Sequence, residues 1–125
     1  MIRIAPATLA PAQGYGAGII DNRALVDQVL GLSVEPVPGG AVVRATGQTT
    51  TQGWWDVELV ADNDGEPVDG VLTFQFRVAA PRTPTPVSTA RSREVTAAAA
   101  VSDITLAGVR EIRVIGTRNE RTSRR

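Results

Sequence analysis

The chain contains no histidine and no cysteine. Those two absences together remove the Ser-His-Asp triad, the cysteine nucleophile, the zinc site of nitrogen and sulfur ligands and the iron–sulfur cluster. Only carboxylates, hydroxyls and arginines are left for catalysis, and no cofactor is expected. The absence of cysteine does not decide the compartment, because a secreted domain with an adequate core needs no disulfide and a cytosolic one rarely has any. Net charge is absent as well, with 13 acidic side chains against 13 basic ones. This removes the strong field by which a generic nucleic-acid or anionic-membrane binder draws in its partner, so nucleic acid is not expected as a ligand. Lysine is missing too, every basic residue being arginine; we read this as composition rather than function. No apolar run approaches the length of a membrane span, and Met1 to Ala12 lacks the uninterrupted apolar stretch of a secretory signal.

What is present points to one folded domain. The 125 residues suffice for a single hydrophobic core, and 42% hydrophobic against 21% charged residues can bury enough apolar surface to offset chain entropy. Residues 1–23 are rich in Ala, Pro and Gly, with Gly14, Gly16 and Gly18 around Tyr15; ordering such a segment is costly, and a flexible amino-terminal arm is expected there. The glycine spacing faintly resembles a dinucleotide fingerprint, yet neither the strand before it nor the helix after it is evident.

Residues 24–125 read as one domain of short apolar segments, each interrupted by Gly, Pro, Asn or Asp, the pattern of antiparallel strands. Leu30, Leu32 and Val34 alternate over about Val29–Glu35, and Gly39-Gly40 turns the chain into a return strand over about Ala41–Thr46. In the third strand, about Trp54–Ala61, alternation sets Trp55, Val57, Leu59 and Ala61 on the core face and Trp54, Asp56, Glu58 and Val60 on the other. Leu72, Phe74, Phe76 and Val78 face inward along the fourth, about Gly70–Ala79. A Pro/Thr/Ser loop runs from Pro81 to Ala90. Val95, Ala97, Ala99 and Val101 face inward in a fifth strand, although the alanine run alone favours helix. A capped helical turn near residues 103–107, with Ser102 or Asp103 as its cap, bridges two sheets. Two further strands, about Arg110–Gly116 and the segment after Asn119, end the chain. About seven strands with one inward face each make an all-β, immunoglobulin-like β-sandwich of antiparallel strands, because a single open sheet leaves one face wet.

Four features are candidates for function. Asp62, Asp64, Glu66 and Asp69 alternate before glycines, as at the start of a calcium loop, but the twelfth loop position falls on Thr73, and a tight hairpin demands the same residues. Trp54, facing away from the core, offers an aromatic surface to a sugar ring or a partner's side chain. Arg110, Arg113, Arg118, Arg121, Arg124 and Arg125 gather positive charge at one end, which suits an acidic partner or simply a solvated strand face. Asp56 and Glu58 share a strand face, but nothing activates them as an acid–base pair, so no enzyme is expected.

The segments Gly39–Gly47, Gln52–Leu59 and Leu106–Val114 resemble a small uncharacterised bacterial lipoprotein-like family, over roughly residues 25–125. The resemblance implies a periplasmic domain held on the envelope by a lipidated cysteine, a residue this chain lacks; it supplies no activity and no functional residues. The expectation is therefore a non-enzymatic binding or structural module of the cell envelope, an accessory subunit with a protein partner met through Trp54, Arg118, Arg121, Arg124 and Arg125. The alternative is a carbohydrate- or peptidoglycan-binding module using Trp54 and the nearby acids.

Overall fold

The computed structural model describes residues 21–125; the arm expected over residues 1–23, with its glycine cluster, lies outside the described residues up to residue 20. In chain order the elements are β1 (Ala24–Leu25), β2 (Gln28–Val37), β3 (Gly40–Gln48), β4 (Trp55–Ala61), β5 (Val71–Ala79), β6 (Glu94–Ser102), α1 (Asp103–Leu106), β7 (Glu111–Ile115) and β8 (Glu120–Arg124). They form two sheets around one core, an all-β sandwich. One sheet has the order β2-β3-β6, antiparallel throughout.

The other sheet is organised by β5. Strand β4 pairs with one edge of it, and its other edge is shared in tandem, β7 alongside Val71–Gln75 and β1 alongside Arg77 and Val78. Strand β8 then flanks β7. The β5–β7 pair is parallel, which corrects the expectation of a wholly antiparallel sandwich. Between β5 and β7 the chain crosses to the other sheet as β6 and returns through α1, and that route lets two parallel strands meet without a hairpin. The two-residue β1 was invisible as a strand, since its only sheet partners lie on β5, far away in sequence.

Local chemistry explains most boundaries. Val37 pairs with Gly40, so Pro38-Gly39 carries the first hairpin turn, one residue earlier than expected; Gly39 supplies the φ of +85° there. Ser102 caps α1, its Oγ accepting from the Thr105 N–H at 3.3 Å. The alanine run of β6 stays extended because nine consecutive residues pair with β3 without a register break, and tertiary pairing overrides helix preference.

The core takes its large side chains mainly from β5 and β7 and its small ones from β3 and β6. Leu72, Phe74, Phe76 and Val78 are at most 4% exposed, as are Ile112 and Val114, and they cluster with Ala41, Ala45 and Ala97. Close packing of this kind needs large groups opposite small ones. Gly47 is the extreme case: a Cβ there would come within 2.8 Å of Val26 Cγ2 and 3.3 Å of Phe76 Cε2.

Two inward–outward assignments are corrected, and for one reason. In β2 the register slips between Val29 and Gly31, so Leu30 is an extra residue; Val29 is buried and Leu30 is 36% exposed, the reverse of the simple alternation. In β4 the register slips between Trp55 and Glu58, and Asp56 takes a φ of +50°. The added residue exchanges the two tryptophans: Trp54 packs against the core and Trp55 is 48% exposed.

The bulge in β2 yields a direct test by thermal or urea unfolding. Val29→Asp, which buries an unpaired carboxylate, should abolish stable folding, whereas Leu30→Asp one residue later should cost less than about 1 kcal/mol.

Candidate functional site

The bulge that ejects Trp55 also builds a groove. Because Trp55 pairs with Ala79, the residues after β5 run back alongside those before β4. Pro81, Arg82 and Thr85 therefore meet Gly53 and Trp55 around an open groove of about 310 Å³. Two backbone-directed bonds fasten the loop: Gln52 N donates to Pro86 O at 3.0 Å, and Thr85 Oγ1 donates to Gln52 O at 2.6 Å. Trp55 is oriented by its own indole, whose Nε1–H donates to Ala80 O at 3.0 Å. Arg82 holds its guanidinium 5.6 Å from the Trp55 ring centroid, within cation–π range, and forms no ion pair with another described residue. The polar equipment of the groove is thus asymmetric. Arg82 supplies free donors and Thr85 has spent its hydroxyl hydrogen on the backbone, and no carboxylate or amide side chain lines the groove.

The residues singled out from sequence lie elsewhere. Trp54, expected to be the exposed aromatic, is half-buried against the core and its Nε1–H donates to Thr51 Oγ1 at 3.0 Å. It borders a separate hollow of about 230 Å³ with Leu25, Asp27, Thr49 and Val78. The acidic turn is a backbone device: Asn63, Asp64 and Asp69 adopt φ of +53° to +55°, and the Asp62 carboxylate accepts from Gln75 Nε2 at 2.8 Å. Among the described residues no group of three or more acidic side chains is arranged to hold a metal ion.

The arginine-rich end is largely committed to the fold. Arg118 pairs with Asp27 at 2.9 Å, and Arg113 lies between Glu111 and Glu120 at 3.2 and 3.4 Å. Arg121 Nε donates to Val29 O at 3.1 Å; Arg125 Nη1 donates to Leu106 O at 2.6 Å and to Val109 O at 3.3 Å, satisfying carbonyls at and just beyond the end of α1. The guanidinium of Arg110 lies against Gly70, where a Cβ would come within 2.8 Å of Nη1. The side chains of Arg110 and Arg124 make no hydrogen bond or ion pair with another described residue. The structure therefore gives Arg113, Arg118, Arg121 and Arg125 separate anchoring roles.

Asp56 and Glu58 do share a cation. Arg23 Nη2 lies 2.8 Å from Glu58 Oε1 and 2.8 Å from Asp21 Oδ2, while its Nη1 donates to the Asp56 carbonyl at 3.0 Å. The two Arg23 side-chain bonds hold the Asp21 carboxyl down at about 2, and both carboxylates raise the already high Arg23 value. The clamp ties the residues before β1 across the outer face of β5 to β4.

Sequence reasoning missed Trp55 and Arg82. A bulge at Asp56 leaves no mark in the hydrophobic pattern, but pairing the two strands around the Asp62–Gly70 turn would have brought the Pro81–Thr85 segment beside Gly53. Compared with protein-family models, curated proteins and solved structures, the chain matches none of them. No helix among the described residues is long and apolar enough to cross a membrane.

Two outcomes are expected. Trp54→Ala should cost about 2–3 kcal/mol in unfolding free energy, through lost core contact, and Trp55→Ala only about 1 kcal/mol, through one hydrogen bond and the Arg82 contact. Because the Asp21 carboxyl is depressed in the folded chain, its contribution is complete above the ordinary 3.8 and lost as pH falls toward 2. Asp21→Asn should therefore lower stability at pH 6 by less than about 1 kcal/mol, the range of exposed pairs, with the difference from wild type vanishing near pH 2 in parallel urea titrations.

Proposed function

We propose that this chain is a non-enzymatic protein-binding module of the bacterial cell envelope, an accessory subunit that docks to a larger assembly through the Trp55 groove on a sandwich we read as immunoglobulin-like. The observation that carries this reading is the half-exposed Trp55 ring beside an Arg82 guanidinium with no ion-pair partner among the described residues. Trp and Arg are the residues most often found to dominate binding energy at protein interfaces, where an apolar anchor beside a charged one is desolvated together. The ligand that complements them carries an acidic side chain next to an apolar one.

A glycan suits the groove less well. Sugar hydroxyls need acceptors as well as donors, and the groove offers no carboxylate or amide side chain to accept from them. The acids around Asp62–Asp69 do not line it either. The envelope location rests on the likeness of the Gly39–Gly47, Gln52–Leu59 and Leu106–Val114 segments to the lipoprotein-like family. With no cysteine in the chain, membrane attachment enters only through a lipidated residue outside it.

Affinity capture from solubilised bacterial envelopes, run side by side with Trp55→Ala and Arg82→Glu, tests the reading. Both variants should retain the wild-type melting profile to within a few degrees and lose the same captured protein by at least about tenfold, the effect of about 1.4 kcal/mol. Equal capture by wild type and both variants, or Trp55-dependent binding on a glycan array, would overturn it.

A further inference from the structure

Among the described residues five strands stand at sheet edges; β1 has only two residues, and three of the other four are blocked. Along β2 the free edge is interrupted by the Leu30 bulge, by Pro36, which has no N–H, and by Asn119, whose side chain both accepts from Val29 N at 2.7 Å and donates to Val29 O at 3.0 Å. On β4 the Asp56 bulge breaks the edge and Arg23 occupies the Asp56 carbonyl. Strand β8 carries Glu120, Arg121 and Arg124. Such devices keep sheet edges from pairing with other chains.

Strand β6 has none of them. It is nine residues long, pairs with β3 without a bulge, and holds neither proline nor charge between Val95 and Val101. The direction of its backbone groups follows from the two ends of the ladder, where Thr49 N donates to Arg93 O and Asp103 N donates to Gly39 O. Odd-numbered residues therefore turn their N–H and C=O groups toward β3, and even-numbered ones turn theirs outward. Thr96, Ala98 and Ala100, all exposed, make no backbone hydrogen bond to any other described residue on that side. An open row of donors and acceptors flanked by methyl groups is a template for one more strand.

We infer that β6 pairs antiparallel with β6 of a second copy of this chain, about a twofold axis at Ala98, joining two three-stranded sheets into one. The occupant is specified by self-complementarity. Centring the pair on Ala98 sets the three open residues Thr96, Ala98 and Ala100 against one another and places Glu94, whose N–H is already given to Arg91 O, opposite Ser102, with no like charges facing. The same register sets Arg93 opposite Asp103 of the second copy, twice over. Arg93 keeps one donor group for the contact: Nη1 is engaged with Thr49 O at 2.9 Å and Nε is buried, which leaves Nη2, without a hydrogen-bond partner among the described residues. Shifting the pair by two residues in either direction no longer sets Thr96, Ala98 and Ala100 against one another and brings a strand-end residue into their place. A single shared strand edge is a small interface, so the association is weak, in the upper micromolar range on the order of 100 μM.

Because the chain lacks cysteine, the register can be read by crosslinking the full chain. In Ala98→Cys the two thiols face each other across the axis at a Cα separation of about 5.5 Å, within disulfide reach. In Ala100→Cys each thiol faces Thr96 instead. At about 200 μM and under mild oxidation, Ala98→Cys should form covalent dimer at least tenfold faster than Ala100→Cys. Sedimentation of the wild type should show dimer growing with concentration, and Asp103→Arg, which opposes two arginines, should weaken it about tenfold. A wild type that stays monomeric to about 1 mM, or crosslinking at equal rates in the two variants, overturns the inference.

Discussion

Everything in this fold is arranged around the burial of one strand. Strand β5 turns Leu72, Phe74, Phe76 and Val78 into the core at 4% exposure or less, and both of its edges are filled, by β4 on one side and by β7 and β1 in tandem on the other. At about 25 cal/mol per Å² of apolar surface, four such side chains make this strand the largest single source of hydrophobic stabilisation in the sheet. The opposite sheet answers with small residues. Gly47, Ala41, Ala45 and Ala97 leave the room that two phenylalanines require, which is why a chain so poor in aromatics still packs one dry interior.

How much of this was legible in the sequence depends on whether local patterning or distant pairing decided it. Strands β3, β5 and β6 were readable to within a residue or two because each keeps a strict period of two against a single buried face. The Ser102 cap, the turn at Asp62–Gly70 and, to within one residue, the turn at Pro38-Gly39 were readable because the residues themselves impose the geometry. Period-two reading failed at Leu30 and at Trp55, and in both places a bulge inserted one residue and reversed the face of its neighbours. The candidate site suffered most from this, since the choice between Trp54 and Trp55 is a choice of face. The parallel β5–β7 pair and the tandem β1 were not legible at all, being set by where the chain returns after visiting the other sheet.

Charge in this protein acts at short range. The balanced composition already argued against a long-range field, and the structure shows the arginines spent individually: Arg23 on two carboxylates and a carbonyl, Arg77 on Gln75 and the Arg23 carbonyl, Arg118 on Asp27, Arg125 on carbonyls around the end of α1. A guanidinium serves here better than an ammonium would, because its fork reaches several acceptors from one plane. Against that background, a guanidinium such as Arg82, lying over an indole and without an ion-pair partner among the described residues, stands apart from those built into the scaffold.

The clamp at Arg23 has a mechanical consequence. Tension on the backbone ahead of Asp21 would arrive first at two residues of β1 and at an arginine bonded to β4, and both grip β5 from opposite sides. Peeling β1 alone removes little sheet pairing, so the ionic fastening, not the hydrophobic interior, would resist the first increment of force. Acidification or high salt would soften that attachment while the sandwich behind it stayed closed.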